Sequence, residues 1–309
     1  MRIRSSLLVA AVVALFAPGF AHAQRDQMLV STAWLAKHLH DPNLVLLHVG
    51  SQGEYGAMHI PGARFIDLDD ISISEHTQEG LMLEMPATDS LRDRLQKLGI
   101  SNDSRIVVYY GTDWVSPATR AVFTLDYAGL GAQTSLLDGG MGAWVREGNK
   151  VTDQVPAKRV GTLAPLKTKP IVVNAAYVKA HIGKPGVSIV DGRDASFYDG
   201  VRNGNTHGAQ QRFGHIASAK SVPFTEVADD RLFFKSPNDL AALFAKAGVQ
   251  RGDTIVGYCH VGQQATAMLF AARSLGYPVL LYDGSFQEWS RLTPAEAYPV
   301  ENPSSASKQ

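Results

Sequence analysis

The sequence predicts an α/β protein of two similar domains, each a parallel sheet with helices on both faces. Three observations predict it. Apolar runs of strand length alternate with amphipathic stretches of helix length. Four sequence patterns recur in the same order in the two halves. Gly, Pro and Asp mark the junctions. With 309 residues, 45% hydrophobic and 19% charged, the chain has enough material for two cores of ordinary size.

The N-terminus stands outside this alternation. Arg2 and Arg4 precede an apolar run, Leu7 to Phe16, which is short for a bilayer span. Pro18-Gly19 breaks the run, and Ala21-His22-Ala23 forms a small-x-small cleavage site before Gln24. Residues 1–23 therefore read as a signal peptide, the alternative being an uncleaved anchor. The expectation is an exported, periplasmic protein with no membrane attachment after cleavage. Cleavage leaves 27 basic and 29 acidic side chains, a net charge of −2. Such a balance gives no large basic surface for nucleic acid and no polybasic membrane tether.

The first unit is expected over 24–150. Thr32 to Leu39 is an amphipathic helix, Leu44 to Val49 a buried strand, and Ile106 to Tyr110 a second strand. Ser116-Pro117 has the form of an N-cap and first helical residue, and Thr134 to Leu137 is a strand ended by Asp138-Gly139-Gly140. A Pro-, Lys- and Thr-rich linker covers 151–170. The second unit is expected over 171–301, with strands near Val187 to Asp191, Ser218 to Val222, Thr254 to Tyr258 and Val279 to Tyr282. Its helix Gln264 to Leu275 closes on Gly276, and the polar tail 302–309 is expected to be disordered.

The repeats are specific in their order. Val30 to Leu39 matches Val173 to Ile182 at an offset of 143, and His59-Ile60-Pro61-Gly62-Ala63 matches His215 to Ala219 at 156. Ile106 to Tyr109 matches Ile255 to Tyr258 at 149, and Asp138-Gly139-Gly140 with Trp144 matches Asp283-Gly284-Ser285 with Trp289 at 145. The larger offset at the histidine places an insertion near 199–213 of the second copy. That insertion has two open readings, a cap on the cleft between domains or a flexible surface loop.

The chain has one cysteine, Cys259, and so no internal disulfide. It directly follows the strand Thr254 to Tyr258, and the loop Cys259-His260-Val261-Gly262-Gln263-Gln264 leads into a helix. In a parallel sheet this is the carboxyl edge, where ligands bind. A short loop of this kind can converge backbone N–H groups into an anion nest, and the helix N-terminus adds positive potential; both favour thiolate over thiol. Gly262 lets the backbone curl. A cysteine phosphatase uses the same geometry but needs an arginine six positions after the cysteine, where Ala265 stands. The bland alternative is a buried cysteine in a tight turn.

The chain resembles tandem-domain rhodaneses, the thiosulfate and 3-mercaptopyruvate sulfurtransferases, over nearly all of its mature length. The likeness rests on Val30-Ser31-Thr32-Ala33-Trp34-Leu35, His59 to Ala63, Asp138-Gly139-Gly140, Val190-Asp191-Gly192-Arg193, Gly214-His215-Ile216, Tyr258-Cys259-His260-Val261-Gly262 and Tyr282-Asp283-Gly284-Ser285 with Trp289. The resemblance implies a catalytic Cys259 in the second domain and an inactive first domain, where Tyr110 stands in the cysteine position. It implies double displacement through a persulfide, with a small sulfur donor, a cyanide or thiol acceptor that could itself be a protein thiol, and no cofactor.

Arg193 aligns with the family's anion-contacting arginine, and His260, Val261, Gly262, Gln263 and Gln264 form the expected substrate loop. His260-Val261 matches neither the basic residues typical of thiosulfate enzymes nor the small ones of mercaptopyruvate enzymes. A second arginine of the latter is Phe197 here, for which Arg212 is a candidate replacement; for Arg193 and Arg212 alike the other reading is a surface ion pair. His260 either moves protons near neutral pH or merely flanks the loop. His215 reads as structural. His38 and His40, two apart on a predicted helix, lie on different faces, and no histidine has metal-site spacing. Thiosulfate is the expected donor. 3-Mercaptopyruvate, a sulfur carrier without small-molecule turnover, and an inert structural role remain as alternatives.

Overall fold

The computed structural model describes residues 24–111, 114–206 and 209–306; the predicted signal peptide lies outside them. The first unit carries β1 (Leu29–Val30), α1 (Thr32–His38), β2 (Leu44–Val49), α2 (Gln52–Ala57), β3 (Arg64–Ile66), α3 (Thr88–Lys97), β4 (Arg105–Tyr110), α4 (Val115–Tyr127), β5 (Thr134–Leu137) and α5 (Gly140–Arg146). The second carries β6 (Val172–Val173), α6 (Ala175–His181), β7 (Val187–Asp191), α7 (Ala195–Tyr198), a hairpin of β8 (Asn205–Thr206) and β9 (Ala209–Gln210), β10 (His215–Ile216) and β11 (Lys220–Ser221). It continues through α8 (Pro237–Lys246), β12 (Thr254–Tyr258), α9 (Gln264–Ser274), β13 (Val279–Tyr282), α10 (Ser285–Trp289), β14 (Val300–Glu301) and α11 (Pro303–Ala306).

Each unit has a five-stranded, all-parallel sheet, in the order β1-β5-β4-β2-β3 and, equivalently from the other edge, β11-β7-β12-β13-β6. The register places His48 beside Tyr109 and Asp191 beside Tyr258. Strand alternation then divides the core. Val107 and Tyr109 pack on the outer face of the first unit, and Val256 and Tyr258 on that of the second. Ile106, Val108, Tyr110, Ile255 and Cys259 belong instead to one apolar cluster that runs without a break from one unit into the other.

Helices α4 and α9 form the seam of that shared core. Ser116 meets Gln263 at 3.2 Å and Thr119 meets Thr266 at 2.9 Å, while Asp126 accepts from Arg273; each pair is separated by 147 residues. A constant separation at spacings of three and seven along both helices means that they run parallel and in register, each position facing its own repeat. Buried small side chains, Ala118, Ala121, Ala265, Ala267 and Ala271, let the two helices pack closely against their surroundings. Gly257 does the same beneath α9, since a Cβ there would come within 2.8 Å of Leu269.

Several local expectations change. Helix α4 begins at Val115 with Trp114 as its N-cap, so Ser116 is not the cap. Pro117 still sits in the first turn, where its missing N–H costs no bond. The strand near 218–222 shortens to Lys220–Ser221, and His40 falls beyond the end of α1. The linker is fastened to the first unit, where His59 and Thr152 exchange backbone bonds and Gly161 N donates to Gln96 O. The start of the tail is also ordered. Residues 303–306 form α11, and the Ser304 N and Oγ both donate to Asp199 O, because β14 pairs with β10 and carries the chain there.

Candidate active site at the domain seam

The two copies repeat a structural triad that anchors each sheet. Tyr55 stacks on His59, whose Nδ1 lies 2.7 Å from Tyr55 O; Tyr198 stacks on His215, whose Nδ1 lies 2.7 Å from Tyr198 O. Tyr109 OH accepts from Ile60 N, and Tyr258 OH from Ile216 N, both at 3.1 Å. His215 is thus structural, as the sequence suggested. By this correspondence Tyr110 and Cys259 occupy the same place.

Cys259 is fully buried at the carboxyl end of β12. Its loop is gripped from α10: Cys259 N donates to Ser285 Oγ at 3.2 Å, Phe286 N to Cys259 O at 3.0 Å, and Gln287 N to His260 O at 3.0 Å. Ser285 holds a left-handed φ of +52°, the angle of Gly140 in the first copy. A Cβ at Gly140 would collide with the Tyr110 ring at 2.5 Å. With the smaller cysteine in place of tyrosine, the second copy has room for a side chain at this position.

The loop closes at Gly262, whose φ of +75° suits glycine. A Cβ there would also lie 2.9 Å from Arg120 Nη1 and from Asp283 O. Arg120 comes from α4 of the first unit and is completely buried. Its Nη1 donates to Gly262 O at 2.9 Å and to Asp283 Oδ1 at 2.8 Å, and its Nη2 donates to Leu83 O. The domain without a cysteine therefore braces the loop that carries one. From His260 to Ala265 no backbone N–H has an acceptor among the described residues. These unpaired donors, continued by the uncapped start of α9, are what the anion nest expected from the sequence requires.

Arg193 lies under this loop rather than at the surface. Its Nε and Nη2 form a forked pair with Asp191, at 3.0 and 2.6 Å, and Nη2 also donates to Gly214 O at 2.8 Å. Burial works against its charge, but Asp191, Tyr258 and Cys259 outweigh burial and raise its pKa. Its Nη1 is buried without a partner among the described residues.

His260 is neutral at physiological pH. Burial first, then Arg193, with Arg202 adding to them and Asp191 opposing, lowers its pKa to about 4. Of the two readings of His260, this disfavours proton transfer near neutrality. Its Nδ1 lies 3.0 Å from Gln211 Oε1, and its ring meets the edge of Phe197 at 4.5 Å. The insertion supplies Gln211 from a short hairpin, so it is an ordered wall of the site at its described positions. Val261 is half-buried, Gln263 reaches Ser116 across the seam, and Gln264 Oε1 is buried without a partner among the described residues.

Arg212 does not join this group. Its Nη2 donates to Trp289 O at 2.8 Å and Tyr298 O at 2.9 Å, a structural use that replaces both expected readings. The cation next to Phe197 is Arg202, whose guanidinium lies 4.6 Å from the ring centroid. Sequence reasoning missed Arg120, Ser285, Gln211 and Arg202. The available signal for Arg120 was one cation inside the otherwise small and apolar run Ala118 to Phe123.

Comparison with known proteins agrees with this architecture. The family model of the rhodanese-like domain matches residues 31–147 and again 174–292, so the chain belongs to that family, twice over. It is 31% identical to the sulfur carrier protein TtuD of Thermus thermophilus, covering 89% of this chain and 96% of that one. It is 29% identical to thiosulfate sulfurtransferase of Rattus norvegicus, again over 89% and 96%. It is also similar to 3-mercaptopyruvate sulfurtransferase of Escherichia coli, at 28% identity over 88% and 98%. The crystal structure of SseA from Escherichia coli, a 3-mercaptopyruvate sulfotransferase, superposes with a TM-score of 0.72 at 27% identity, covering 84% of this chain and 98% of that one. The class is that of a sulfurtransferase built from two rhodanese-like domains.

Proposed function

We propose that the protein moves a sulfane sulfur from thiosulfate to cyanide or a thiol through a persulfide on Cys259. The observation that carries this is the loop from His260 to Ala265, whose N–H groups lack acceptors among the described residues and which begins at the buried cysteine. The Cys259 thiolate attacks the outer sulfur of thiosulfate. A Cys–S bond forms, the S–S bond of thiosulfate breaks, and sulfite leaves with the electron pair. The acceptor then attacks the outer persulfide sulfur, and the Cys259 thiolate is regenerated with its electron pair. Both enzyme states are anions, which suits a nest of N–H donors and the spare Nη1 of Arg193. No external oxidant or reductant enters the balance.

One observation favours 3-mercaptopyruvate as a second reading. Arg202 over Phe197 supplies a guanidinium in the region where mercaptopyruvate enzymes are expected to hold their second arginine. A thiol with no exposed surface favours small donors and acceptors over direct transfer to a protein cysteine. The chain is further proposed to act in the periplasm, after cleavage of residues 1–23.

The test is intact mass of the mature protein before and after thiosulfate, alongside Cys259→Ser. The expected result is a gain of about one sulfur mass (~32 Da), absent in the variant and reversed by cyanide. A gain with mercaptopyruvate alone would reverse the choice of donor. No gain with either would remove the enzymatic reading.

A further inference from the structure

The first unit and the linker enclose a second concavity. It has a volume of about 660 Å³ and lies between strand β3, the end of α3 and the linker segment Val155–Val160. This is the size of a pocket for a small organic ligand. Its apolar lining comes from Tyr55, Phe65, Leu98 and Val155.

Four cations stand around that lining: Arg64, Lys97, Lys158 and Arg159. None of them makes an ion pair among the described residues. Arg64 is held in place because α3 ends on Gly99. A Cβ at Gly99 would overlap the Arg64 guanidinium, which donates one bond to Leu98 O. Burial and then Arg159 lower the pKa of Arg64, with Tyr55 acting the other way; no carboxylate is among these influences. No Asp or Glu lines this concavity, and Asp103 sits beside Arg64 and Arg159 only in the adjoining cavity, so the four cations present a local positive field to it.

The wall formed by the linker is unusual in a second respect. Residues 155–160 make no hydrogen bond among the described residues, whereas Thr152 and Gly161 on either side are tied to the first unit. Val155 and Val160 are 71% and 76% exposed. The segment is a strap fixed at both ends, with apolar side chains left in solvent beside the cations.

We propose that this groove binds a soluble small-molecule anion with an apolar body, such as a carboxylate- or phosphate-headed amphiphile. The cations receive the head, and the ring and aliphatic surfaces of Tyr55, Phe65, Leu98 and Val155 receive the body. The site is separate from Cys259, and the inference does not depend on sulfur transfer.

Isothermal titration of the mature protein with decanoate and decyl phosphate, below their micellar concentrations, tests it. The expected result is saturable one-to-one binding, at least tenfold weaker in Lys97→Glu/Arg159→Glu and unchanged in the control Lys37→Glu. Decan-1-ol and inorganic phosphate should each bind at least tenfold more weakly than decyl phosphate. Absence of saturable binding, equal affinity in the double variant, or equal affinity for decanol or inorganic phosphate would overturn the proposal. So would association with phosphatidylglycerol vesicles without binding of the monomeric amphiphiles.

Discussion

The hydroxyl of Ser285 accepts the backbone N–H of Cys259 at 3.2 Å and donates to Tyr282 O at 2.9 Å, tying the cysteine's loop to the strand beside it. It does so from a left-handed backbone conformation that disfavours any residue with a Cβ. The bonds and the strain oppose one another, and substitution separates them. Ser285→Ala loses both bonds and keeps the strain, costing about 1–2 kcal/mol. Ser285→Gly loses the bonds and relieves the strain, recovering part of that loss. Urea unfolding midpoints should fall in the order serine, glycine, alanine; an alanine variant above the glycine one would contradict the assignment.

Arg120 links the domains through the loop itself. Removing one partner of a buried ion pair costs about 3–5 kcal/mol, because the other charge is left unpaired. Arg120→Met should therefore destabilise the chain by that order. It should slow formation of the Cys259 persulfide about tenfold or more, since Gly262 O loses its brace. Arg120→Lys, which retains the charge but not the fork, should fall between wild type and Arg120→Met in both measurements. A methionine variant with wild-type rate would show that the loop holds its shape unaided.

Glu84 faces Asp283 from across the seam. Burial above all, then Asp283 and Glu288, raise its pKa to about 7, with Arg120 opposing. Between the ordinary glutamate value and about 7 the folded chain keeps a proton that the unfolded chain has lost. Stability therefore falls as pH rises through that window and is level above it. Glu84→Gln should gain about 1–2 kcal/mol at pH 8, allowing for partial exposure, and nothing near pH 4.5. Urea titrations at the two pH values check the sign.

The pKa of His260, near 4, makes a kinetic prediction. Persulfide formation should show no inflection near pH 6.5 that depends on this ring. His260→Asn, measured from pH 5 to 8, should change the rate without changing the shape of the profile. A neutral-pH inflection present in wild type and lost in the variant would sink the assignment. The same group contributes to acid sensitivity: stability is lost as pH falls from about 6.5 through 4, where the unfolded chain takes up the proton first.

Most of the strand pattern was legible because buried parallel strands are written as continuous apolar runs. Leu44 to Val49 and Thr254 to Tyr258 were read with their observed bounds. The repeat at His59 and His215 was legible because both histidines make the same backbone bond. The ends of elements were harder. Ser116 has the chemistry of a cap, but its hydroxyl accepts from Gln263 across the seam, a partner 147 residues away. Residues 302–306 look like a free tail until β14 brings them to Asp199.

By itself, the sequence determined the class of fold, the duplication, and the one thiol placed between a buried strand and a helix start. These are local or periodic properties, set by hydrophobic pattern, turn residues and the absence of any other cysteine. Only the tertiary structure decided which charges belong to the site. It turned Arg193 into a buried partner of Asp191, gave Arg212 to two backbone carbonyls, and brought Arg120 to Gly262 over a separation of 142 residues. An arginine reads the same in any sequence, and its role is fixed by which acceptors the packed chain places within reach of its guanidinium. For Arg120 that placement follows from the register of α4 against α9, which no single segment contains.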